Sequence, residues 1–411
     1  MRNSRILISG AGIAGQTLAY WLARQGFQPT IVERAASLRL GGQGVDVRER
    51  AIEVVERMGL MPQVRSAAAD VLGMRFVDAD GRGLGEVNIQ KIKERNGSDE
   101  VEIMRGDLVR LLHDSNGDTV EYLFGESIST LEQDADGVTV EFERGGRRRF
   151  DLVVGADGLH STVRRMAFGP EERFVHHLEH YFAFGDADPA LGPDRWVTVY
   201  NTPGSMAGIY RSGAHPQAKA YLAFRSPRRE FDPRDPAAAR RALTEQFGRD
   251  PAWQVARLLE SVLADDDMYF DALTQVRMPT WANGRVVLVG DAAHCASPVS
   301  GGGAELALTA AYRLADELAA ADGDHEQAFA RYERAQRPSV GRRQQIGPNL
   351  RLLIPRTRAS IKIRNTLTRL PVLESLAGME RIMAPRNTEP LTTARTDTTP
   401  RKSPESVGCR A

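Results

Sequence analysis

The sequence predicts an α/β protein in which a parallel sheet is interrupted by an inserted, mainly antiparallel sheet and followed by a C-terminal helix. Two glycine-rich motifs, beginning at Gly10 and Gly290, each follow a short apolar run. The run Asp151–Val154 is almost wholly apolar, as is typical of a strand at the buried centre of a parallel sheet. Between residues 174 and 278, short segments of alternating polarity indicate antiparallel strands.

The first glycine motif has the spacing Gly-x-Gly-x-x-Gly. It follows the strand-like run Arg5–Ser9 and opens a helix predicted from Gln16 to Gln25. In this pattern Gly10 permits a tight turn, Gly12 lets the backbone approach a pyrophosphate, and Gly15 lets the helix pack closely on the strand. The N-terminus of the helix adds a positive partial charge that favours phosphate groups.

An acidic residue completes this first nucleotide signature. The strand predicted at Pro29–Val32 ends at Glu33, which lies 18 positions after Gly15 (33 − 15). An acid at this distance can accept hydrogen bonds from ribose hydroxyls. The order of strand, glycines, helix, strand and acid therefore predicts a dinucleotide site, with candidate residues Gly10, Gly12, Ala14, Gly15 and Glu33.

The second motif begins at Gly290-Asp291, directly after the apolar run Val286–Val289. It continues through Pro298 to Gly301 and Gly303 and precedes a long helix rich in Ala and Leu. An acid and free backbone N–H groups at the end of a strand suit the polyol and phosphate parts of a nucleotide cofactor. Two such sites in one chain predict one extended cofactor held at both ends.

Other elements follow from local patterns. The sequence predicts an amphipathic helix from about Glu49 to Met58 and a helix that starts near Arg105. A hairpin is predicted from Met74–Val77 and Gly85–Val87. Further strands are predicted at Thr119–Phe124 and Val138–Phe142, the latter joined through residues 144–147 to Asp151–Val154.

The middle of the chain is predicted to be an inserted domain. Its predicted strands are Tyr181–Asp186, Trp196–Tyr200, Met206–Tyr210 and Ala220–Arg225, and its predicted helices are Pro236–Phe247 and Ala252–Val262. The cofactor-binding domain is then discontinuous, with residues 1–73, 101–173 and 279–340. The substrate-binding domain comprises residues 74–100 and 174–278, followed by a helical segment at 341–384 and a disordered tail at 385–411.

The helical segment 341–384 is basic and amphipathic, but Pro355 and Pro371 break it into short pieces. It could lie at a membrane interface. We favour a helix packed across both domains with a solvated basic face that includes Arg351, Arg358 and Arg364.

Composition limits the class of protein. The 411 residues are 42% hydrophobic and 26% charged with no formal net charge, so we expect no nucleic-acid partner. Two cysteines cannot form a disulfide framework. No apolar run approaches the roughly 18 residues that a membrane span needs. These features predict a cytoplasmic protein, and we expect a monomer or homodimer. His176, His177 and His180 could suggest a metal site, but no carboxylate or thiolate signature accompanies them, so we expect no metal.

Together the motifs resemble those of FAD-dependent monooxygenases of the p-hydroxybenzoate hydroxylase type, the short single-component aromatic hydroxylases that include tetracycline-inactivating members. The resemblance covers residues 5–340 and implies a Rossmann-type FAD-binding domain. It implies that the first motif binds the ADP half of FAD and the second motif binds the ribityl and flavin half. Positions that match the family pattern imply further contacts with FAD. The implied residues are Arg34, Asp46, Arg105, Asp157, Asp291, Pro298, Gly301 and Gly303.

The resemblance also implies a reaction, although it identifies no catalytic side chain. NADH or NADPH would reduce FAD, and molecular oxygen would add to give a flavin C4a-hydroperoxide. Its terminal oxygen would hydroxylate an aromatic or polycyclic small molecule, such as a secondary metabolite or an antibiotic. The Asp157-Gly158 motif implies a second role toward the nicotinamide donor, which disfavours a protein that keeps FAD only as structure.

Two positions depart from the family pattern. Ser297 replaces a second proline, and Glu305 replaces an asparagine of the flavin loop. A negative charge near the flavin motivates the alternative of a flavin-dependent oxidase or reductase without oxygen insertion. Because the spacing places Glu305 outside the apolar stripe of its helix, we expect it to tune the flavin rather than to hold the fold; that stripe consists of Leu306, Ala310, Leu314 and Leu318.

Overall fold

The computed structural model describes residues 3–227 and 235–369. In chain order the strands are β1 (Arg5–Ser9), β2 (Gln28–Glu33), β3 (Gly44–Val47), β4 (Gly73–Val77), β5 (Gly83–Asn88), β6 (Val101–Met104), β7 (Glu121–Phe124), β8 (Ile128–Gln133), β9 (Val138–Phe142), β10 (Arg147–Phe150), β11 (Leu152–Gly155), β12 (Val175–Ala187), β13 (Trp196–Thr202), β14 (Ser205–Tyr210), β15 (Ala218–Arg225), β16 (Tyr269–Val276), β17 (Ala282–Asn283) and β18 (Val286–Leu288).

The helices are α1 (Ile13–Arg24), α2 (Arg50–Arg57), α3 (Met61–Ser66), α4 (Ile89–Arg95), α5 (Arg105–Asn116), α6 (Thr162–Phe168), α7 (Pro236–Phe247), α8 (Val255–Ala264), α9 (Asp291–His294), α10 (Gly303–Ala320), α11 (His325–Arg343), α12 (Gly347–Leu353) and α13 (Arg358–Leu367). The α/β class with one parallel and one antiparallel sheet is confirmed.

A six-stranded sheet forms the first layer, in the order β17-β18-β11-β1-β2-β7. All neighbours are parallel except the short edge strand β17. Residues Ile6–Ile8 and Leu152–Val154 are fully buried at its centre, as their apolar runs predict. Helices α1, α5, α2, α10 and α11 pack against one another beside this sheet. Because these neighbouring strands are parallel, their carboxyl ends lie at one shared edge of the sheet.

A seven-stranded sheet forms the second layer, in the order β16-β12-β15-β14-β13-β4-β5. It is antiparallel except for the pair β13 and β4. One face is buried against α7 and α8. The predicted hairpin and the four predicted strands of the middle region are confirmed, but β16 was not predicted.

The connection around Asp151 differs from the prediction. The turn at residues 144–147 leads from β9 into β10, which pairs back antiparallel on β9 in a three-stranded sheet with β8. The chain then changes sheets at Asp151, whose carboxylate accepts a hydrogen bond from the Arg5 amide at 2.8 Å. The predicted strand Thr119–Phe124 begins only at Glu121, because Gly117–Thr119 form a 3₁₀ turn.

The C-terminal segment is broken near Pro355 as predicted, and Thr357 and Ser360 form a capping box that starts α13. The prediction of a solvated basic face is wrong at Arg364, which is buried over the Phe76 ring at 3.8 Å and donates to Asn201 at 2.8 Å. The predicted break at Pro371 and the predicted tail lie outside the described residues. Among those described, none of the helices combines the length and apolarity needed to cross a bilayer.

Candidate functional site

Four predicted site residues lie along the carboxyl edge of the six-stranded sheet. The parallel strands β2, β1, β11 and β18 follow one another in space. Glu33 is the last residue of β2, Gly10 follows β1, Asp157 follows β11 and Asp291 follows β18. In open parallel sheets, ligands bind in the crevice outside this edge. Positions far apart in sequence thus meet because their strands are neighbours.

The first glycine loop is closely packed at two positions and open at a third. Gly10 has φ +108°, and a Cβ there would lie 2.5 Å from the Ala156 carbonyl oxygen. A Cβ at Gly15 would lie 2.0 Å from the Gly10 carbonyl oxygen. At Gly12 the nearest atom would be Arg105 Nη2, 3.9 Å away. The open side of Gly12 leaves the space that a pyrophosphate needs.

A cleft of about 200 Å³ lies above this loop. The predicted residues that line it are Gly10, Gly12, Glu33, Arg34, Arg105 and Asp157. Glu33 has a fixed orientation, because its two carboxylate oxygens accept hydrogen bonds from the amides of Ala11 and Ala35, each at 2.9 Å. A carboxylate retains further lone pairs after two such bonds and can accept from hydroxyl groups in the cleft.

Arg105 is the first residue of α5 and supplies positive charge to the cleft. Burial lowers the pKa of Arg105, whereas Asp291 favours its charged form and Glu33 does so more weakly. Its Nη1 donates to the Gly41 carbonyl at 3.4 Å. The charged form of Arg105 is therefore favoured by acids from both predicted motifs.

Asp157 uses its carboxylate within the protein. It accepts hydrogen bonds from Ser161 Oγ at 2.5 Å and from the amides of Thr162 and Val163 at 2.8 and 3.1 Å. Burial raises the pKa of Asp157, and these hydrogen bonds oppose the shift. Arg164, which is buried, donates to the Ala292 carbonyl at 3.0 Å and so ties this loop to the second motif.

His160 also lines the cleft and was not predicted. Its Nε2 lies 2.8 Å from Asp271 on β16, and its Nδ1 lies 3.0 Å from Glu171. Burial alone would lower the pKa of His160, but hydrogen bonds and charge from these two acids outweigh it and raise the pKa to about 9. Nothing in the local sequence marks this residue, because Asp271 lies 111 positions away.

The second motif lies apart from the cleft lining but adjoins the first motif. A Cβ at Gly290 would lie 2.9 Å from Cβ of Ala14, so the two motifs are in direct contact there. Asp291 opens α9 and is exposed. Gly301 has φ +57°, and its Cβ position lies 3.7 Å from Asp46 Oδ2. The exposed residues of this loop are Pro298, Gly301 and Gly303.

The prediction that Glu305 lies outside the buried side of its helix is wrong. Its side chain is only 2% exposed. Its Oε2 lies 2.5 Å from Arg343 Nη2 and 3.7 Å from Arg48 Nε. Arg343 also pairs with Glu49 at 2.6 Å, and Arg48 Nη2 donates to the Ser300 carbonyl at 3.2 Å. We call the residues Arg48, Glu49, Glu305 and Arg343 the Glu305 network.

The reason for this difference is tertiary packing. Helix α10 is enclosed by α1, α2, α11 and β3, so its burial extends all round rather than along one stripe. Burial raises the pKa of Glu305, opposed by Arg343 and Arg48. The Glu305 carboxylate therefore pairs with Arg343 and Arg48, and these two arginines contact the loop at residues 300–303.

Within residues 3–227 and 235–369, no group of three or more His, Cys, Asp or Glu side chains has the arrangement of a metal site. His294, inside the second motif, is buried against Trp281 with ring centroids 4.7 Å apart. Burial lowers the pKa of His294 to about 3, so the ring is neutral. Its place is in the core and not in the cleft.

Comparison with known proteins identifies the class to which this arrangement belongs. The FAD binding domain family matches residues 3–343. The chain therefore belongs to this family, and it is an FAD-dependent monooxygenase. The predicted resemblance, cofactor FAD and enzyme class are confirmed.

Individual relatives and solved structures are similar over most of the chain. A flavin-dependent monooxygenase of Legionella longbeachae is 40% identical over 84% of this chain and 88% of its own length. An uncharacterized protein of Mycobacterium tuberculosis is 44% identical over 80% of this chain and 88% of its own length. The crystal structure of tetracycline destructase Tet(51) is similar with a TM-score of 0.79 and 35% identity, covering 92% of this chain and 98% of that one.

Proposed function

We propose that this monooxygenase hydroxylates an aromatic or polycyclic small molecule with molecular oxygen and with NADH or NADPH as electron donor. The observation that carries the proposal is an aromatic face on the seven-stranded sheet, opposite the face that packs on α7 and α8. On this face Phe182 and Tyr221 stack with centroids 5.6 Å apart, and Phe184 and Tyr269 stack at 4.8 Å.

The aromatic face is incompletely covered. Phe182 and Tyr221 lie on the inner strands β12 and β15 and pack in part against an apolar cluster that includes Phe76 and Ile354, and Tyr269 lies on the edge strand β16; all three are only partly buried. Large aromatic side chains at the centre of a sheet are normally buried by a packed layer. Partly open rings inside the protein are a suitable surface for stacking another aromatic ring.

The residues at the sheet edge fit FAD. At Gly12 the nearest atom to a Cβ would be Arg105 Nη2 at 3.9 Å, and at Gly303 no atom would lie within 4 Å, which leaves room for the pyrophosphate and for the isoalloxazine ring. We propose that the ADP half is held by Gly10, Gly12, Glu33, Arg34, Arg105 and Asp157, and the flavin half by Asp46, Asp291, Pro298, Gly301 and Gly303, with Ala14 and Gly15 supporting the loop. When bound, FAD supplies hydride acceptance from the nicotinamide and activation of oxygen.

The oxidase or reductase alternative was motivated by Glu305 as a charge near the flavin. Because its carboxylate pairs with Arg343 and Arg48, Glu305 gives that alternative no support. The chain's own tasks are then to orient the substrate on the aromatic face and to exclude water from the reacting atoms.

Purified protein should be yellow and should oxidise NADH or NADPH faster when an aromatic substrate is added. Tetracycline is a suitable first substrate because a structurally similar protein is a tetracycline destructase. Under ¹⁸O-labelled oxygen, mass spectrometry should show one labelled atom in the product. An oxidised product without label would contradict hydroxylation, and a protein that does not retain FAD would contradict the proposed site.

A further inference from the structure

Glu102 and Tyr210 form a hydrogen-bonded pair at the border of the aromatic face. Tyr210 lies on β14 and contacts Tyr221 edge to face, with centroids 6.2 Å apart. Its hydroxyl donates to Glu102 Oε1 at 3.0 Å. Gly44 leaves room for this carboxylate, because a Cβ at Gly44 would lie 2.4 Å from the same oxygen. The pair therefore joins the β3–β6 ribbon to the substrate-facing side of the sheet.

The pair also lies beside the loop that we propose holds the flavin. Glu102 on β6 is directly opposite Asp46 on β3 in the antiparallel register. Asp46 in turn lies 3.7 Å from the Cβ position of Gly301. At the other border of the aromatic face, β16, which carries Tyr269, packs against α9, whose first residue is Asp291. A molecule stacked on this face would thus have Glu102 at one side and the cofactor motifs close by.

The surroundings of Glu102 leave its charge poorly compensated. Burial raises the pKa of Glu102, and Asp46 adds to the shift, while Tyr210 and Lys93 oppose it. A carboxylate with one hydrogen bond retains further acceptor sites. Charge-assisted hydrogen bonds are stronger than neutral ones, particularly away from bulk water. A donor or a cation on a bound molecule would stabilise this acid.

We infer that Glu102, positioned by Tyr210, selects aromatic substrates that carry a cationic amine or another hydrogen-bond donor. This inference rests on the proposed function, since it concerns the molecule bound at the aromatic face. Glu102 would accept the hydrogen bond from the donor, and Tyr210 would hold the carboxylate in place. Asp46 lies on the same side of the ribbon but pairs with Arg48 at 3.8 Å, so Glu102 would supply most of the repulsion of an anionic group.

The test compares two probes that share an indole ring, namely the cation tryptamine and the anion indoleacetate. Binding to the FAD-loaded enzyme is followed by the change in flavin absorbance at about pH 8, where an alkylammonium group stays charged. We expect the wild type to bind tryptamine at least about tenfold more tightly than indoleacetate. Glu102→Gln should bring the two affinities to within about threefold of each other.

Two further variants make the result specific. Tyr210→Phe should reduce the preference for tryptamine only partly, because the carboxylate remains but loses its positioning bond. Glu132→Gln, which removes the same charge from an exposed strand of the three-stranded sheet, should leave the preference unchanged. An unchanged preference in Glu102→Gln, a wild-type preference for indoleacetate, or failure of both probes to bind would overturn the inference.

The same preparations separate this inference from the proposed function. FAD content and NADH or NADPH oxidation are measured for each variant. A yellow, NADH- or NADPH-oxidising enzyme without charge preference overturns the role of Glu102 alone. A preparation that lacks FAD or nicotinamide oxidation overturns the proposed function itself.

Discussion

The two glycine loops at the carboxyl edge are held in place by different forces. In the first loop the glycines lie directly against backbone, because a Cβ at Gly10 or Gly15 would lie 2.5 or 2.0 Å from a carbonyl oxygen. In the second loop, Gly303 has open space around it, and the loop is held by the Glu305 network through Arg48 and Ser300. The first loop is therefore packed against backbone, whereas the second is packed against charged side chains, since Arg48 donates to Ser300 and Arg343 lies 2.7 Å from the Cβ position of Gly302.

The two loops therefore differ in how easily they can change conformation. A loop held by close backbone contacts has one conformation, because protein interiors are densely packed and do not deform continuously. A loop held by ion pairs can be shifted by substitution, salt or protonation without loss of the core. We expect the ADP half of the site to be rigid and the flavin half to be adjustable.

The largest expected effect comes from Gly15→Ala. Its new methyl group would require α1 to move away from β1, so we expect a loss of about 3 kcal/mol or more in the free energy of unfolding, together with loss of bound FAD. Chemical unfolding and flavin absorbance measure both.

Gly341→Ala is the matched control for that substitution. Gly341 lies within α11, is exposed and has no atom near its Cβ position. There, alanine should stabilise the protein by roughly 0.5–1 kcal/mol. If Gly15→Ala behaved like Gly341→Ala, the first loop would not be sterically fixed.

Glu305→Gln should have the next largest effect. It leaves the partly buried Arg343 and Arg48 without their shared acid. Breaking a fully buried pair costs about 3–5 kcal/mol, and because these arginines are partly exposed and Arg343 keeps Glu49, we expect a loss of about 2–3 kcal/mol in the free energy of unfolding. The double variant Glu305→Gln with Arg343→Gln should cost less than the sum of the single variants. Additive effects, or a cost as small as that of Glu132→Gln, would show that charge does not hold the second loop.

His160 tests whether charge also contributes near the first loop. Its pKa of about 9 in the folded protein lies above its ordinary value of 6.5. The stability that it adds is therefore complete below pH 6.5 and is lost as the pH rises through about 9. The groups that face it are Asp271 from β16, Glu171 and, through Glu171, Arg164.

His160→Gln should remove on the order of 1–3 kcal/mol of stability near pH 6 and much less at pH 9.5. Urea unfolding across this range measures the difference. A stability difference between wild type and His160→Gln that is the same at both pH values would contradict a charged His160.

The smallest expected effect is that of Gly303→Ala on the protein without FAD, within about 0.5 kcal/mol, because its Cβ would enter open space at the start of α10. The stabilisation that added FAD provides should nevertheless shrink if this space receives the flavin. Thermal unfolding with and without FAD checks both. An unchanged response to FAD would place the flavin elsewhere.

The sequence allowed prediction of features that local geometry determines. Gly10, Glu33 and Asp291 each end or follow a strand, so their meeting at one edge follows once the strands are parallel. Long-range partners were not predictable in the same way, since Glu305 meets Arg48 across 257 positions (305 − 48). Strand β16 was missed because Asp271 interrupts its apolar pattern, and only the fold shows that His160 pairs with this acid. The burial of Arg364 likewise depends on Asn201, far away in the chain.

In both sheets, neighbouring strands come from distant parts of the chain. This limits when each sheet can form during synthesis. Ile6 pairs with Leu152, 146 positions later, and Met74 pairs with Val197, 123 positions later. Neither sheet can close while the ribosome is still making the middle of the chain, so unpaired strand edges persist for a long time. We expect the protein to fold slowly and to be prone to aggregation until both sheets have closed.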